Sequence, residues 1–143
     1  MSTKTLIYIA GPTGVGKTKT SIELAKAFNT VILSCDSRQF YKEMNIGTAV
    51  PSEEELLAVK HHFIQNRSIF EDYSVGSFEN DAINFLDDFF KKQSKVIMVG
   101  GSGLYVDAVT KGLDDFPKVD PGIREQLKLD LKELGIEVLQ KRL

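Results

Sequence analysis

The sequence contains very little cysteine, no tryptophan and no long hydrophobic run. Its single cysteine, Cys35, excludes an internal disulfide and is typical of proteins kept in a reducing compartment. The apolar run near the amino terminus, Leu6 to Ala10, is too short for the core of a signal peptide or for a membrane span. From these features we expect a cytoplasmic protein that does not associate with membranes.

An excess of charge of one sign is also missing. The 18 Lys and Arg residues are balanced by 20 Asp and Glu, which gives a formal net charge of −2. Proteins that coat nucleic acid without specificity are usually basic, so the balance argues against that class and leaves local basic patches open. With 143 residues, 42% of them hydrophobic, the chain is long enough to bury a core as one domain.

Short apolar segments alternate with segments of helical periodicity, which predicts an α/β fold with a parallel sheet. We predict strands at Thr5–Ala10, Thr30–Ser34 and Lys95–Val99, an extended segment at Phe63–Ile64, and helices at Thr18–Phe28, from Ser52, at Ser77–Lys92, at Val106–Val109 and from Asp120. The strands show no polar alternation, and this favours a sheet covered by helices on both faces.

The chain is predicted to have two parts. Residues 1–112 would form the α/β catalytic core, and residues 113–143 would begin a helical region. The helix signal at Asp120-Pro121 is followed by a turn at Gly135 and the start of a second helix, which runs to Leu143 without a cap. We therefore expect the helical region to be truncated.

A glycine-rich loop follows the first predicted strand. Its sequence, GPTGVGKT, matches the pattern G-x4-G-K-[ST] between a strand and a helix, which predicts a P-loop NTPase-like fold. Backbone N–H groups of such a loop surround an anion, Lys17 adds positive charge, and the Thr18 hydroxyl can ligate Mg²⁺. The candidate phosphate-binding residues are Gly11, Pro12, Thr13, Gly14, Val15, Gly16, Lys17 and Thr18. The motif is typical of ATP and GTP binding, but it indicates only a phosphate chain.

The ends of the other two predicted strands bear on the chemistry. Asp36 follows the second strand, where a carboxylate can ligate a metal, bind a ribose, act as a base or simply form a turn. The third strand ends in Gly100-Gly101, whereas phosphate-transferring P-loop proteins usually carry a magnesium-binding aspartate at this place. The lack of that second acid argues against an NTPase. Glycine there permits close approach of the backbone to a ligand.

Other chemistry-bearing residues give weaker signals. His61-His62 has no cysteine or spaced histidine to complete a metal site, so we interpret the pair as structural or as part of the surface. Arg38, Arg67 and Arg124 could pair with phosphates, but scattered arginines are usually surface charges. Asp87-Asp88 is interpreted as part of a solvated helix face.

Five segments occur in a familiar order: GPTGVGKT, DSRQFYKEMNIGTAVPS, HHFI, YSVGSF and VGGSGLYVDAVTKGL. From Ile9 to about Arg124 the chain resembles the tRNA dimethylallyltransferases, also called tRNA isopentenyl transferases. Members transfer a dimethylallyl group from dimethylallyl diphosphate to N6 of the adenine that lies 3′ of the tRNA anticodon. The resemblance implies this prenyltransferase activity, with the diphosphate and the tRNA anticodon arm as partners. We also expect a monomer.

The resemblance also implies roles for individual residues. The loop would hold the diphosphate, with Mg²⁺ near Thr18 as cofactor, and Asp36 would take the proton from N6. Lys17 and Thr18 would complete the catalytic set. Contacts with tRNA are implied for Asp36, Ser37, Arg38, Gln39, Ser102 and Arg124.

Two departures from the family are visible. The family usually has threonine where this chain has Ser102, which keeps the hydroxyl. Members are considerably longer, so an inactive catalytic-core fragment is one interpretation. Three other functions stay open at this point: prenyl transfer to free AMP, ADP or ATP, an ATP-dependent small-molecule kinase, and a non-catalytic phosphate-binding module.

Overall fold

The computed structural model describes residues 3–114 and 119–143. The chain divides into two compact units, Met1–Leu113 and Asp114–Leu143. In the described ranges the elements are β1 (Thr5–Ile9), α1 (Lys17–Phe28), β2 (Ile32–Ser34), α2 (Glu53–Ala58), β3 (His61–His62), α3 (Val75–Phe89), β4 (Lys95–Val99), α4 (Gly103–Lys111), α5 (Pro121–Leu134) and α6 (Ile136–Gln140). None of these helices is both long enough and apolar enough to cross a bilayer.

The four strands form one parallel sheet in the order β1-β4-β2-β3. The inner strand β4 pairs with β1 on one side and with β2 on the other. Val99 is the register partner of both Ile9 and Ser34, so three strands end at the same level. The loops that follow these strands therefore leave the sheet side by side, at the edge where open parallel sheets bind ligands.

Apolar side chains of the sheet alternate between two clusters, one on each face. On one face Ile32 and Ile97 pack with Ile22 and Ala25 of α1. On the other face the core members come from β2, β4, α3 and α4, and they include Leu33, Val96, Met98, Phe78, Ala82, Leu86, Val106 and Val109. The predicted parallel sheet with helices on both faces is confirmed.

The helices α3 and α4 begin earlier than predicted, at Val75 and Gly103, and two predicted strands are displaced. The strand that we placed as an extended segment at Phe63–Ile64 lies at His61–His62, and it ends because Phe63 adopts a left-handed φ of 60°. The second strand begins at Ile32 because the Thr30 N–H bonds to the Ala25 carbonyl at 2.9 Å as part of the end of α1.

The predicted helix starts at Ser52 and Asp120 are confirmed. Ser52 and Glu55 form a reciprocal capping box at α2. At α5 the Asp120 carboxylate accepts a hydrogen bond from the Gly122 N–H at 2.8 Å, and Pro121 occupies the first turn.

Arg67 is held inside the first unit by an ion pair. Its Nη2 lies 2.5 Å from Oδ2 of Asp81, which also accepts a hydrogen bond from the Tyr73 hydroxyl at 2.9 Å. Burial, together with the hydrogen bond to Asp81, raises the pKa of Tyr73 above its ordinary range. The Arg67 backbone pairs with Phe40 and Lys42, so this ion pair anchors the segment that follows Asp36. The interpretation of Arg67 as a scattered surface charge is therefore wrong.

We expect Asp81→Asn to lower the free energy of unfolding by about 1–2 kcal/mol, because the half-buried Arg67 guanidinium then faces a neutral amide in place of a carboxylate. Urea denaturation of the chain measures this change. The matched control is Asp88→Asn, which breaks an exposed pair with Lys91 and should leave the denaturation midpoint unchanged. Equal effects of the two substitutions would contradict the anchoring role.

Candidate active site

A cavity of about 290 Å³ lies where β1 and β2 end. It is lined by Thr13, Gly14, Gly16, Lys17, Thr18, Asp36, Gln39 and Ala49. The structure thus brings the glycine-rich loop and the predicted carboxylate to one place. Gly11, Pro12 and Val15 belong to the same loop, but they do not line the cavity.

The conformation of the loop depends on its glycines. Gly14 and Gly16 have φ values of 82° and 96°, which L-residues with a side chain rarely adopt. The helix α1 begins directly after Gly16, so its first N–H groups and its positive end face the cavity. The Lys17 Nζ donates a hydrogen bond to the Pro12 carbonyl at 2.7 Å, which keeps the ammonium beside the loop with two further N–H groups for an anion.

Asp36 forms a turn, and it also lies at the cavity. Its Oδ1 accepts a hydrogen bond from the Arg38 N–H at 3.0 Å, which closes an Asx turn, and the residue also lines the cavity. The following aromatic residue, Phe40, is 1% exposed and stacks on Phe78 at a centroid distance of 5.1 Å. This buried anchor fixes the turn and with it the carboxylate.

Gln39 is bound to the protein by all of its amide groups. Its Oε1 accepts a hydrogen bond from the Ser34 hydroxyl at 3.0 Å, and its Nε2 donates to the carbonyls of Thr48 and Ala49 at 3.3 and 2.8 Å. In this structure the side chain thus fixes the backbone at Ala49. Sequence reasoning missed Ala49, and the only signal for it was its position within the segment DSRQFYKEMNIGTAVPS.

Gly100, the first residue after β4, lies against the start of the Asp36 turn. A Cβ atom at this position would lie 2.7 Å from Sγ of Cys35 and 2.9 Å from the Asp36 nitrogen. The close approach that requires glycine is therefore made by the chain itself rather than by a ligand. The Tyr8 hydroxyl donates a hydrogen bond to the Gly100 carbonyl at 2.9 Å and holds it in place. At Gly101 a Cβ atom would have no neighbour within 4 Å.

Two of the predicted tRNA-contacting residues meet at the adjoining loop. The Ser102 Oγ accepts a hydrogen bond from the Ser37 N–H at 3.3 Å and lies 3.4 Å from Ser37 Oγ. The Arg38 side chain is exposed and has no ion-pair partner among residues 3–114 and 119–143. Arg124 lies on α5, in the unit Asp114–Leu143. The tRNA contacts of these residues stay predictions.

Cys35 is fully buried directly before Asp36, as expected for a small core residue. Burial, reinforced by the Asp36 charge, raises the pKa of its thiol to about 12.

We expect the thiol of the folded chain to resist iodoacetamide at pH 8, where the unfolded chain reacts, because the thiolate is the nucleophile. Mass spectrometry with and without urea measures this difference, and rapid labelling without urea would contradict it. Above pH 9 the Cys35 thiol loses its proton in the unfolded chain but keeps it in the folded chain. The free energy of unfolding should therefore fall between pH 9 and pH 12.

The histidine pair lies apart from the cavity. His61 Nδ1 lies 2.8 Å from the Val59 carbonyl, and the His62 ring packs on Phe85 with centroids 4.4 Å apart. Burial lowers the pKa of both imidazoles. In the described part of the chain no group of three or more His, Cys, Asp or Glu residues could hold a metal ion. The structural interpretation of the pair agrees with these contacts.

Comparison with known protein families gives one matching family model, described as IPP transferase, over residues 39–143. Among curated proteins, the chain is 61% identical to a tRNA dimethylallyltransferase of Flavobacterium psychrophilum over 138 residues. It is 56% identical to the enzyme of the same name from Flavobacterium johnsoniae over 140 residues. These alignments cover 96% and 98% of this chain and 45% of each relative. The chain thus spans about half the length of the curated relatives that it matches.

Solved structures show the same likeness. The full-length tRNA isopentenylpyrophosphate transferase of Bacillus halodurans matches with a TM-score of 0.74 at 36% identity, over 97% of this chain and 46% of that one. A eukaryotic dimethylallyltransferase acting on tRNA matches with a TM-score of 0.72 at 30% identity, over 92% of this chain and 32% of that one. The P-loop NTPase-like fold class predicted from the sequence is confirmed.

Proposed function

Since this chain belongs to the IPP transferase family, we propose that its protein transfers a dimethylallyl group from dimethylallyl diphosphate to N6 of the adenine 3′ of the anticodon in tRNA. One observation carries the proposal. The three strand ends at Ile9, Ser34 and Val99 are in register, so the phosphate loop and the Asp36 carboxylate line one cavity. A binding site for the diphosphate leaving group and a proton acceptor are the two features that this reaction needs from a protein.

The proposed step exchanges one bond for another. The bond between C1 of the allyl group and the diphosphate oxygen breaks, and its electron pair leaves with the diphosphate. The lone pair of adenine N6 forms the new bond to C1, and the N6 proton passes to Asp36. Lys17 and the loop N–H groups stabilise the charge that develops on the leaving group. The adenine must leave the anticodon stack to enter the cavity.

The residues present fit a magnesium ion. The hydroxyl of Thr18 and the carboxylate of Asp36 line the same cavity, and both are hard oxygen ligands of the kind that Mg²⁺ binds. Such an ion is normally held by one or two protein ligands together with substrate phosphates and water. When bound, Mg²⁺ would supply positive charge to the diphosphate. We propose Thr18 as the protein ligand of this cofactor.

The remaining assignments are supported by position. Ser37 and Ser102 join the loops that follow β2 and β4 by a hydrogen bond, and Arg38, whose N–H bonds to Asp36, offers an exposed guanidinium for a phosphate. We propose that these residues and Arg124 contact the anticodon arm. The main role of Gln39 in the site is to fix the backbone of Ala49 by a hydrogen bond to its carbonyl. We also propose that the protein is monomeric and cytoplasmic, and the single free cysteine fits a reducing compartment.

Calorimetry of the protein that carries this chain, with dimethylallyl diphosphate and with ATP, tests the proposal. We expect binding of the allylic diphosphate and no preference for ATP. Tight ATP binding without binding of the allylic diphosphate would contradict the proposal and favour a kinase. Incorporation of labelled dimethylallyl groups into tRNA, compared with AMP, ADP and ATP as acceptors, then separates the tRNA-modifying reaction from prenyl transfer to free nucleotides.

A further inference from the structure

We propose that Ala49 is the residue that contacts the allyl group of the donor and limits its size, and that Gln39 positions it. This inference rests on the proposed function and adds the part of the site that recognises the transferred group. Neither residue would take part in the bond exchange.

The chemistry of the cavity wall points to Ala49. Of the described residues that line the cavity, two are glycines and five carry a hydroxyl, ammonium, carboxylate or amide group. Of these eight residues, Ala49 alone has a wholly apolar side chain. An allylic diphosphate has one strongly charged end and one hydrocarbon end, and hydrocarbon is best placed against apolar surface.

The arrangement of the lining residues agrees with that assignment. The loop and the start of α1 supply the phosphate-binding groups, whereas Ala49 and Asp36 come from the segments after β2. The reacting carbon must lie between the diphosphate and the amine whose proton Asp36 accepts. The hydrocarbon that extends from this carbon therefore lies on the part of the cavity wall to which Ala49 belongs.

Hydrogen bonds from neighbouring residues fix the backbone conformation at Ala49. Its φ of 51° is left-handed, a conformation that persists in an L-residue only where surrounding contacts fix it. Gln39 Nε2 supplies such contacts by donating to the Thr48 and Ala49 carbonyls. The Thr48 hydroxyl adds a hydrogen bond to the Met44 carbonyl at 2.6 Å.

The same network reaches the carboxylate. The buried Ser34 hydroxyl donates to Gln39 Oε1 at 3.0 Å, and its oxygen accepts from the Asp36 N–H at 3.3 Å. Ser34, at the end of β2, thus holds both Gln39, which binds the Ala49 backbone, and the backbone of Asp36. A side chain that is fully bonded inside the protein in this way acts as a positioning residue.

Calorimetry with two ligands tests the inference: dimethylallyl diphosphate and inorganic pyrophosphate, which lacks the allyl group. We expect Ala49→Leu to weaken binding of dimethylallyl diphosphate at least about tenfold, because the added carbons occupy the space of the hydrocarbon. Pyrophosphate affinity should change less than about threefold, because the loop is untouched. The matched control is Ala58→Leu, the same substitution on the exposed surface of α2, which should change neither affinity.

A second variant, Ala49→Gly, tests the inference even if Ala49→Leu does not fold. Ala49→Gly suits a left-handed φ and removes only the methyl group, so it should fold and should raise the use of geranyl diphosphate relative to dimethylallyl diphosphate several-fold. For Gln39, Gln39→Glu should reproduce this relaxed choice of donor, because a carboxylate cannot donate to the Ala49 carbonyl. A merely structural role would lower the use of both donors equally.

The outcomes separate the two proposals. If Ala49→Leu changes both affinities equally or neither, and donor choice in Ala49→Gly matches the parent protein, Ala49 is not the allyl contact and the inference is overturned while the proposed function stands. If the parent protein binds pyrophosphate but neither binds nor transfers the allylic donor, the proposed function fails, and the inference fails with it.

Discussion

Asp36→Asn is expected to lower the rate of dimethylallyl transfer to tRNA by about 10²–10⁴-fold, the usual contribution of a general base. Asparagine keeps an oxygen that can accept the Arg38 N–H at the place of Oδ1, so the turn and the buried Phe40 anchor should persist. It cannot accept the N6 proton, because the amide has no basic oxygen. The loss should therefore appear in turnover.

Initial rates of labelled dimethylallyl incorporation into an anticodon arm, together with calorimetry of dimethylallyl diphosphate, measure the effect. Donor affinity should stay within a few-fold, because the loop and Lys17 are unchanged. The matched control is Asp87→Asn, the same substitution on the exposed surface of α3, where the rate should not change. If Asp36→Asn turned over as fast as this control, Asp36 would be a turn residue only, as Asp-Ser sequences often are.

The second large effect is expected for Gly100→Ala. The added methyl group would lie 2.9 Å from both the Cys35 carbonyl carbon and the Asp36 nitrogen, which are backbone atoms and cannot swing aside. The end of β2 must move away from β4, so we expect the free energy of unfolding to fall by about 1–3 kcal/mol, as for other overpacked sites. The displaced turn should also lower the transfer rate, because Asp36 moves with its own backbone.

Urea denaturation of the chain, followed by circular dichroism, measures the stability effect. The matched control is Gly101→Ala, where the new methyl group would meet no atom within 4 Å and where stability should stay within about 0.5 kcal/mol. Similar losses in the two variants would show that the contact with Cys35 and Asp36 is not what requires Gly100.

The sheet and its three strand ends could be predicted because local patterns carry that information. The buried strands lack polar alternation, the loop glycines are bounded by a strand and a helix, and Ser52 with Glu55 forms a cap signal readable within four residues. The prediction failed at Phe63, where an apolar residue adopts a left-handed turn that no local propensity favours.

The part of the site that could not be predicted depends on contacts between distant segments. Gln39 was assigned to tRNA from the resemblance, but its amide bonds to Ser34, Thr48 and Ala49, which only the folded chain brings together. Whether it also meets tRNA stays a prediction. The role of Gly100 was inferred as space for a ligand, because a sequence does not show which backbone comes within 3 Å of it. Such distances are set by the pairing of β4 with β2, so they cannot be predicted from the residues that flank Gly100 or Asp36 in the sequence.

The common register of Val99 with Ile9 and Ser34 also links ligand binding to folding. These residues are far apart along the chain, and such pairings form late because loop closure opposes them. A collapsed chain with intact helices but an unpaired β4 would be compact, yet its phosphate loop and its carboxylate would not share a cavity. Affinity for pyrophosphate and Asp36-dependent turnover should therefore report completion of the sheet more sharply than helical content does.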